Sequence, residues 1–169
     1  SWSGLEAAFS GDGYVYSIII SGGILYVGGT FGLINSVTAQ SVANWNGVIW
    51  SAMAGLGGIA LVHSLAENGS GVIAGGANLT ASDGNLVQWS GSAWLQLESE
   101  NFTGTVYAMA TYLTDLYVGG TFTTQGNRIA KLSGNEWTTL TTGLNNTVFS
   151  ISIINQDIYV LGTFTTAGD

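Results

Sequence analysis

Short runs of apolar and β-branched residues recur along the chain, and each is bounded by Gly, Ser, Asn or Asp. The run Val15-Tyr16-Ser17-Ile18 has counterparts that begin at residues 62, 106 and 148. Ten residues after each of these Val residues a second run begins, the first of which is Leu25-Tyr26-Val27-Gly28-Gly29. β-branched and aromatic residues dominate both runs, and no 3.6-residue period is sustained. The pattern therefore predicts antiparallel strands.

A third run carries an aromatic or apolar residue on either side of a turn. It reads Trp45-Asn46-Gly47-Val48-Ile49-Trp50 and has counterparts at Trp89–Trp94 and Leu132–Trp137. The links Asn46-Gly47, Ser90-Gly91 and Ser133-Gly134 suit tight hairpin turns that need a positive φ. Successive repeats start 47, 44 and 42 residues apart, at the Val residues 15, 62, 106 and 148. Four strands in a unit of this length are typical of a β-propeller blade.

We therefore predict one all-β repeat domain over residues 1–169, with propeller-type blades at about 2–50, 50–94, 94–137 and 137–169. The fourth blade is incomplete, because the Trp of its outer strand would fall beyond Asp169. Trp2-Ser3-Gly4-Leu5 matches Trp137-Thr138-Thr139-Leu140, yet the third strand of that blade is present at neither end. Three explanations stay open: a window cut from a longer array, a strand donated by a neighbouring copy, or further residues after Asp169.

The Gly-Gly pair inside the second strand predicts a bulge or a close backbone approach, as expected where tapered blades crowd together. Phe31, Phe122 and Phe164 are expected to pack between blades, and Trp50, Trp94 and Trp137 to lie on the outer strands. The block Leu-Tyr-Val-Gly-Gly-Thr-Phe, followed by Trp-Asn-Gly-x-x-Trp, resembles the kelch-like propeller repeats of secreted bacterial surface proteins. It is also similar to the repeats of fungal cortical polarity-marker proteins. The resemblance covers the whole chain and implies the blade, but it implies no particular activity.

Composition excludes several classes of protein. Charged residues make up 7 % of the chain, against about 25 % in ordinary domains. Ten residues are Asp or Glu and two are Lys or Arg, which leaves only Arg128 and Lys131 to neutralise phosphates and excludes nucleic-acid binding. The chain has no Cys, which excludes a disulfide scaffold and a thiolate zinc site. The apolar stretch 14–27 is too short and too interrupted for a membrane span.

Catalytic and metal-binding candidates are few. His63, the only histidine, aligns with Tyr16, Tyr107 and Phe149, which favours ring packing over catalysis. Glu98 and Glu100 share one strand face and offer the carboxylate pair of a glycosidase, although a solvated loop is the favoured interpretation. Asp115 and Asp157 align as repeated turn residues. The Gly-rich segments 10–13 and 82–85 lack the alternating acids of a calcium loop, so we predict no catalytic residue, metal or cofactor.

The sequence has two features that could involve carbohydrate, namely glycosylation sequons and tryptophan rings. N-glycosylation sequons begin at Asn68, Asn78, Asn101 and Asn145. Of these, Asn78 occupies the Phe31 position of its repeat, whereas the others fall in predicted loops. Exposed tryptophan rings could also bind sugar by stacking. However, the tryptophans recur with the repeat; they are Trp2, Trp45, Trp50, Trp89, Trp94 and Trp137. Recurrence favours a place in the blade core over a lectin site.

The combined pattern predicts a non-enzymatic, extracellular structural module, a building block of a cell-surface protein or an extracellular fibre assembled through open blade ends. Its expected partners are copies of itself or flanking repeats, with glycans where sequons are used. The predicted assembly interface consists of Trp2, Leu5, Phe9, Val160, Phe164 and Asp169. The alternative is a carbohydrate- or protein-binding propeller of the lectin or adhesin kind. A glycoside-processing enzyme that uses Glu98 and Glu100 is the weakest hypothesis.

Overall fold

The structure, a computed structural model, describes residues 9–10, 13–57, 60–79, 84–97 and 102–168. The described residues form β-strands joined by turns and loops, and they contain no helix long and apolar enough to cross a membrane. The strands are β1 Phe9–Ser10, β2 Val15–Ser21, β3 Ile24–Gly29, β4 Leu33–Ile34, β5 Val37–Thr38, β6 Val42–Trp45, β7 Trp50–Ala52, β8 Leu61–Glu67 and β9 Val72–Ala77. They continue with β10 Leu86–Trp89, β11 Trp94–Gln96, β12 Val106–Tyr112, β13 Asp115–Gly120, β14 Ile129–Ser133, β15 Glu136–Thr139, β16 Val148–Ile154 and β17 Asp157–Gly162.

The repeats form a series of antiparallel sheets. The first three sheets have four strands each, in the orders β2-β3-β6-β7, β8-β9-β10-β11 and β12-β13-β14-β15, and the fourth is the hairpin β16-β17. A small sheet, β1-β4-β5, lies beside the first. The first strands β2, β8, β12 and β16 neighbour one another in chain order. The all-β repeated architecture is therefore confirmed, and the described residues form an open series of sheets rather than a closed ring.

Hydrophobic cores lie between successive sheets, because each second strand sends alternate side chains to its two sides. On β13, Val118 packs in the cluster shared with Ile73 of the second sheet. The preceding residue, Tyr117, packs in the cluster shared with Val148 and Ile151 of the fourth sheet. Each internal sheet is therefore buried on both faces. The outer side of the first sheet is covered in part, where Val27 packs with Ile34 of the small sheet, and the outer side of the fourth sheet has no neighbouring sheet among the described residues.

The two positions of each Gly-Gly pair require glycine for different physical reasons. A Cβ on Gly75 would lie 2.6 Å from Cγ1 of Val106, so the first glycine lets the next sheet pack closely. A Cβ on Gly76 would overlap the carbonyl oxygen of Leu61 in the neighbouring strand. The second glycine thus accompanies a β-bulge, seen as a register shift between Val62 and Ser64. The predicted bulge and close approach are both confirmed.

The links between third and fourth strands differ from the predicted tight turns in two of three sheets. Residues 46–49 and 90–93 form four-residue loops, and only the third link is a two-residue turn. In the first loop the Asn46 Oδ1 accepts hydrogen bonds from the backbone N–H groups of Val48 and Ile49. This side-chain capping stabilises a wider loop. Gly47 and Gly91 do adopt the expected positive φ, at 98° and 96°.

Two equivalent tryptophans provide a matched test of hydrogen bonding between sheets. Trp94 and Trp50 are both buried, and the Trp94 Nε1 donates to the Met53 carbonyl at 2.8 Å. The Trp50 Nε1 is buried without a partner in the described structure. We expect Trp94→Phe to lower the free energy of unfolding by about 1 kcal/mol more than Trp50→Phe, since only the first loses a hydrogen bond. Urea denaturation measures the difference, and equal losses would contradict the assignment.

Candidate functional site: a row of rings and two open sheet faces

The β-bulge of each repeat presents an aromatic ring. The register shifts leave one extra residue on each first strand, and these residues are Tyr16, His63, Tyr107 and Phe149. A bulge bends its strand and redirects the side chain of the extra residue. Because the four first strands lie side by side, the four bulges bring their rings into one row.

The rings of this row are in continuous contact. Centroids are 5.2 Å apart between Tyr16 and His63, 4.9 Å between His63 and Tyr107, and 5.4 Å between Tyr107 and Phe149. Tyr14 extends the row by stacking on Tyr16 at 6.2 Å. These separations and tilted planes are favourable for aromatic pairs. His63 thus packs between two rings, in agreement with the packing interpretation drawn from its alignment.

Burial of His63 in this row lowers the pKa of its imidazole. In the unfolded chain the pKa is about 6.5, so the unfolded state takes up a proton at a higher pH than the folded state does. The free energy of unfolding should therefore fall as the pH drops from about 6.5 to the lowered folded-state pKa, by at most about 1.4 kcal/mol per pH unit. Below that pKa the contribution stays constant.

The variant His63→Phe keeps a ring in the row and removes the titration. We expect its urea-denaturation midpoint to lack the decline seen in the wild type just below pH ~6.5. If the two proteins showed the same pH dependence across that range, the burial of His63 would not be its cause.

The two ends of the sheet series expose apolar side chains. The head face is the exposed side of β2, with Ile18 at 61 % and Ile20 at 68 % exposure. The tail face is the exposed side of the β16-β17 hairpin, with Tyr159 at 52 % and Leu161 at 68 %. At equivalent internal positions, Leu65 and Tyr117 are buried by the adjacent sheet. The same repeat positions are therefore internal core in mid-chain and open surface at the ends.

Only part of the predicted assembly interface can be placed. Val160 and Phe164 are half-buried and pack against the core between the third and fourth sheets. Trp2, Leu5 and Asp169 lie outside the described residues, as does the side chain of Phe9, whose backbone pairs with β4. Sequence reasoning missed Tyr159 and Leu161, the exposed neighbours of Val160. The sequence did contain a signal for this exposed face, because residue 161 is Leu where the other repeats have Gly.

The sequon positions differ in their surroundings. Asn101 lies outside the described residues, Asn68 is half-buried, and Asn78 is exposed with a φ of 56°. Asn145 is exposed but engaged, because its Oδ1 accepts from the backbone N–H groups of Thr165 and Thr166. Its Nδ2, the atom to which sugar would be attached, donates to the Thr165 Oγ1 at 2.9 Å. Glycosylation at Asn145 would therefore compete with a formed hydrogen bond.

Among the described carboxylates, that of Asp115 is held by contacts within its own sheet. The Asp115 carboxylate lies 2.7 Å from the Lys131 Nζ and accepts a hydrogen bond from Ser133. These contacts hold the pKa of Asp115 below its usual value. Asp115 and Asp157 are the first residues of β13 and β17, so they lie one position inside the strand and not in the turn that their alignment predicted. Glu98 and Glu100 lie outside the described residues, as do residues 11–12 and 82–83 of the two calcium-loop candidates.

No cluster of three or more metal-ligating His, Cys, Asp or Glu side chains occurs among the residues that the structure describes. A polar groove of about 530 Å³ lies between the β13-β14 loop and the segments that follow β15 and β17. Its lining includes Asn127, Arg128, Asn145 and Thr166 but no carboxylate. The Arg128 guanidinium donates to the Thr121 carbonyl. The groove therefore offers hydrogen-bonding groups and one cation.

The recurring tryptophans belong to the sheets. Trp50 and Trp94 are buried, and Trp45, Trp89 and Trp137 are half-buried. Within each of the first two sheets the Trp pair is in ring contact, at 6.4 Å for Trp45 and Trp50. This agrees with a core position for them, while Trp2 lies outside the described residues.

Comparison with known proteins identifies the fold and no family. No protein-family model matches the chain, and no match was found among curated proteins. The chain is similar to the crystal structure of the computationally designed Ika4 protein, with a TM-score of 0.60, 16 % identity and 96 % of both chains covered. It is also similar to the computationally designed Ika8 protein, with a TM-score of 0.56 and 16 % identity. That match covers 95 % of this chain and 49 % of Ika8, so the chain spans about half of the Ika8 length.

Proposed function

We propose that this chain is a non-enzymatic, extracellular structural module whose sheets are propeller-type blades and which assembles through its open ends. It would serve as a building block of a cell-surface protein or an extracellular fibre. One observation carries the proposal: each internal interface joins the first strand of one sheet to the second strand of the preceding sheet. The head and tail faces expose the two halves of that interface.

The character of the two faces supports contact between copies. Ile18 and Ile20 on the head face, and Tyr159 and Leu161 on the tail face, are large apolar side chains with more than half of their surface exposed. Because head and tail are different surfaces, their contact is heterologous, and such contacts form rings or propagate into filaments. Repeat units with uncapped apolar ends extend in the same way.

Composition supports an extracellular location. With two basic residues the chain offers almost no trypsin-type cleavage sites. Its surface relies on Ser, Thr, Asn and Gly, which suits close packing or a sugar coat better than solvation by charge. Glycans on Asn68 or Asn78 would be compatible with assembly, since neither residue lies on the head or tail face.

Sedimentation of the purified chain over a range of concentrations tests this function. We expect species larger than 17.5 kDa that grow with concentration, and filaments or rings in negative-stain electron microscopy. Ile20→Asp, which places a charge on the head face, should shift the association at least tenfold in concentration. Leu113→Asp changes a large apolar residue in the β12-β13 turn that is still more exposed, at 84 %, and it should leave association unchanged. A wild-type chain that stays monomeric at every concentration would overturn the proposal.

The row of rings favours a second candidate function, a carbohydrate- or protein-binding module. Tyr14, Tyr16 and Phe149 are about half or more exposed and lie on a surface shared by all four sheets. Aromatic faces of this kind stack on apolar faces of ligands. Glycan-array binding that Tyr16→Ala abolishes and Tyr159→Ala retains would establish this function. Absence of binding to the array would remove carbohydrate as the ligand.

A further inference from the structure

We propose that the tail face binds the β2 strand of a second copy of this chain, with Ile18 of that copy seated beside Leu161 and Ser150. This inference rests on the proposed function and specifies its interface. It differs from the sequence-based interface, because the contact lies on the exposed side of β17 and not on the Val160 side. The internal interfaces between the sheets of the chain are the template for this contact.

The first line of support is a hydroxyl that bridges neighbouring first strands. The Ser17 Oγ accepts a hydrogen bond from the Leu65 N–H at 2.9 Å. One sheet further, the Ser64 Oγ accepts from the Met109 N–H at 3.1 Å. The last first strand, β16, carries Ser150 at the position of Ser17 and Ser64. The tail face therefore presents the acceptor that the first and second sheets use to hold the next first strand, whereas the third sheet has Ala108 at this position.

The matching donor lies on the head face. Ile18 occupies the repeat position of Leu65 and Met109, so its backbone N–H points to the same edge of its sheet. Its side chain is 61 % exposed, whereas that of Leu65 is 4 % exposed. Docking β2 on β16 would thus pair the Ile18 N–H with the Ser150 hydroxyl and bury the Ile18 side chain.

Leu161 indicates that the docked strand belongs to another copy. At the repeat position of Leu161, the first and second sheets have Gly28 and Gly75. A Cβ on either glycine would lie 2.6 Å from a Val Cγ1 of the next sheet. A leucine side chain stands there in the fourth sheet and prevents so close an approach. Closure of one chain would force Val15 and Ile18 onto it at a spacing set by the other sheets. A separate copy is not tethered by the other sheets, so its orientation can accommodate the Leu161 side chain while β2 stays within hydrogen-bond distance of Ser150.

The charge distribution permits such a contact between identical acidic chains. The chain has a net charge of −8, so most surfaces of two copies repel each other. Neither β2 nor β16 contains a charged residue. On β17 the tail face carries one carboxylate, Asp157, four residues before Leu161. Because β2 carries no charge, the proposed contact brings no like charges together in a low-dielectric interface.

Cysteine cross-linking tests the contact, and the natural absence of Cys makes it specific. The Ile18→Cys and Leu161→Cys variants are purified separately, mixed in equal amounts, oxidised with diamide and examined on a non-reducing gel. We expect a disulfide-linked dimer containing one chain of each kind, at least fivefold more abundant than in a control mixture of Leu113→Cys and Leu161→Cys. A yield no higher than that of the control would overturn the proposal.

The double variant Ile18→Cys/Leu161→Cys distinguishes a second copy from closure within one chain. We expect oxidation to link chains to one another. A monomer with an intrachain disulfide as the main product would overturn the proposal and show that the sheets close on themselves. If the wild type associates in the ultracentrifuge but the mixed variants do not cross-link, this interface is wrong and the structural function stands. A wild type that does not associate contradicts both.

Discussion

Gly76→Ala is expected to lower the free energy of unfolding by about 3 kcal/mol or more. The added Cβ would overlap the backbone carbonyl oxygen of Leu61 on the neighbouring strand. Backbone cannot rotate out of the way as a side chain does, so β8 and β9 would have to separate at the bulge. Urea denaturation followed by tryptophan fluorescence measures the loss.

Gly32→Ala is the matched control for this substitution. Gly32 is exposed, has no atom within 4 Å of the position of a new Cβ, and does not adopt a positive φ. Its replacement should therefore change stability by less than about 0.5 kcal/mol, or raise it slightly by restricting the unfolded chain. A Gly76→Ala variant as stable as Gly32→Ala would contradict the close strand approach described here.

Phe122→Ala is expected to cost about 3–5 kcal/mol. The Phe122 ring is fully buried and meets the Phe102 ring edge-on at 4.7 Å. Both belong to the core between the second and third sheets, so truncation leaves a cavity where two sheets meet. The surrounding strands are fixed by their hydrogen-bonded ladders and can fill that cavity only in part.

Phe149→Ala removes a ring of the same size from an exposed position. Because about half of the Phe149 side chain is in solvent, we expect a loss of about 1 kcal/mol or less. Calorimetric unfolding of both variants gives the comparison. Similar losses in the two would show that the sheets are not held together by the inter-sheet core.

The strands and repeats could be predicted because they depend on short-range patterns. The Gly-Gly pair was especially informative, since a glycine inside an otherwise β-branched strand has few physical explanations. The structure separates two of them: Gly76 avoids the backbone of its own sheet, and Gly75 makes room for Val106 of the next. The sequence also shows that the fourth repeat breaks this rule, at Leu161.

Features that depend on which side of a strand is covered could not be predicted. Val160 and Leu161 are both apolar neighbours, and only the packing of the third sheet shows that Val160 faces inward. The row of rings is a similar case. The recurrence of Tyr16, His63 and Tyr107 was visible, but their contact depends on bulges that redirect the side chains of three separate sheets.

The predicted length of the turns between third and fourth strands was wrong in the first two sheets, and in the first sheet the reason is local. Asn46-Gly47 is a typical two-residue hairpin sequence, yet the Asn46 side chain caps two backbone N–H groups and holds a four-residue loop. Whether the series of sheets closes into a ring does not depend on a local sequence of this kind. It depends on the separation between the fourth and first sheets, which no short-range pattern of the sequence determines.

Cryo-electron microscopy of the assembled chain at a resolution that shows side chains tests the central claim most directly. We predict density for β2 of a neighbouring copy against Tyr159 and Leu161, with the Ile18 backbone within hydrogen-bond distance of the Ser150 hydroxyl. A monomer in which Ile18 lies against Leu161 of its own chain would contradict this account. So would an assembly in which both the head face and the tail face remain in solvent.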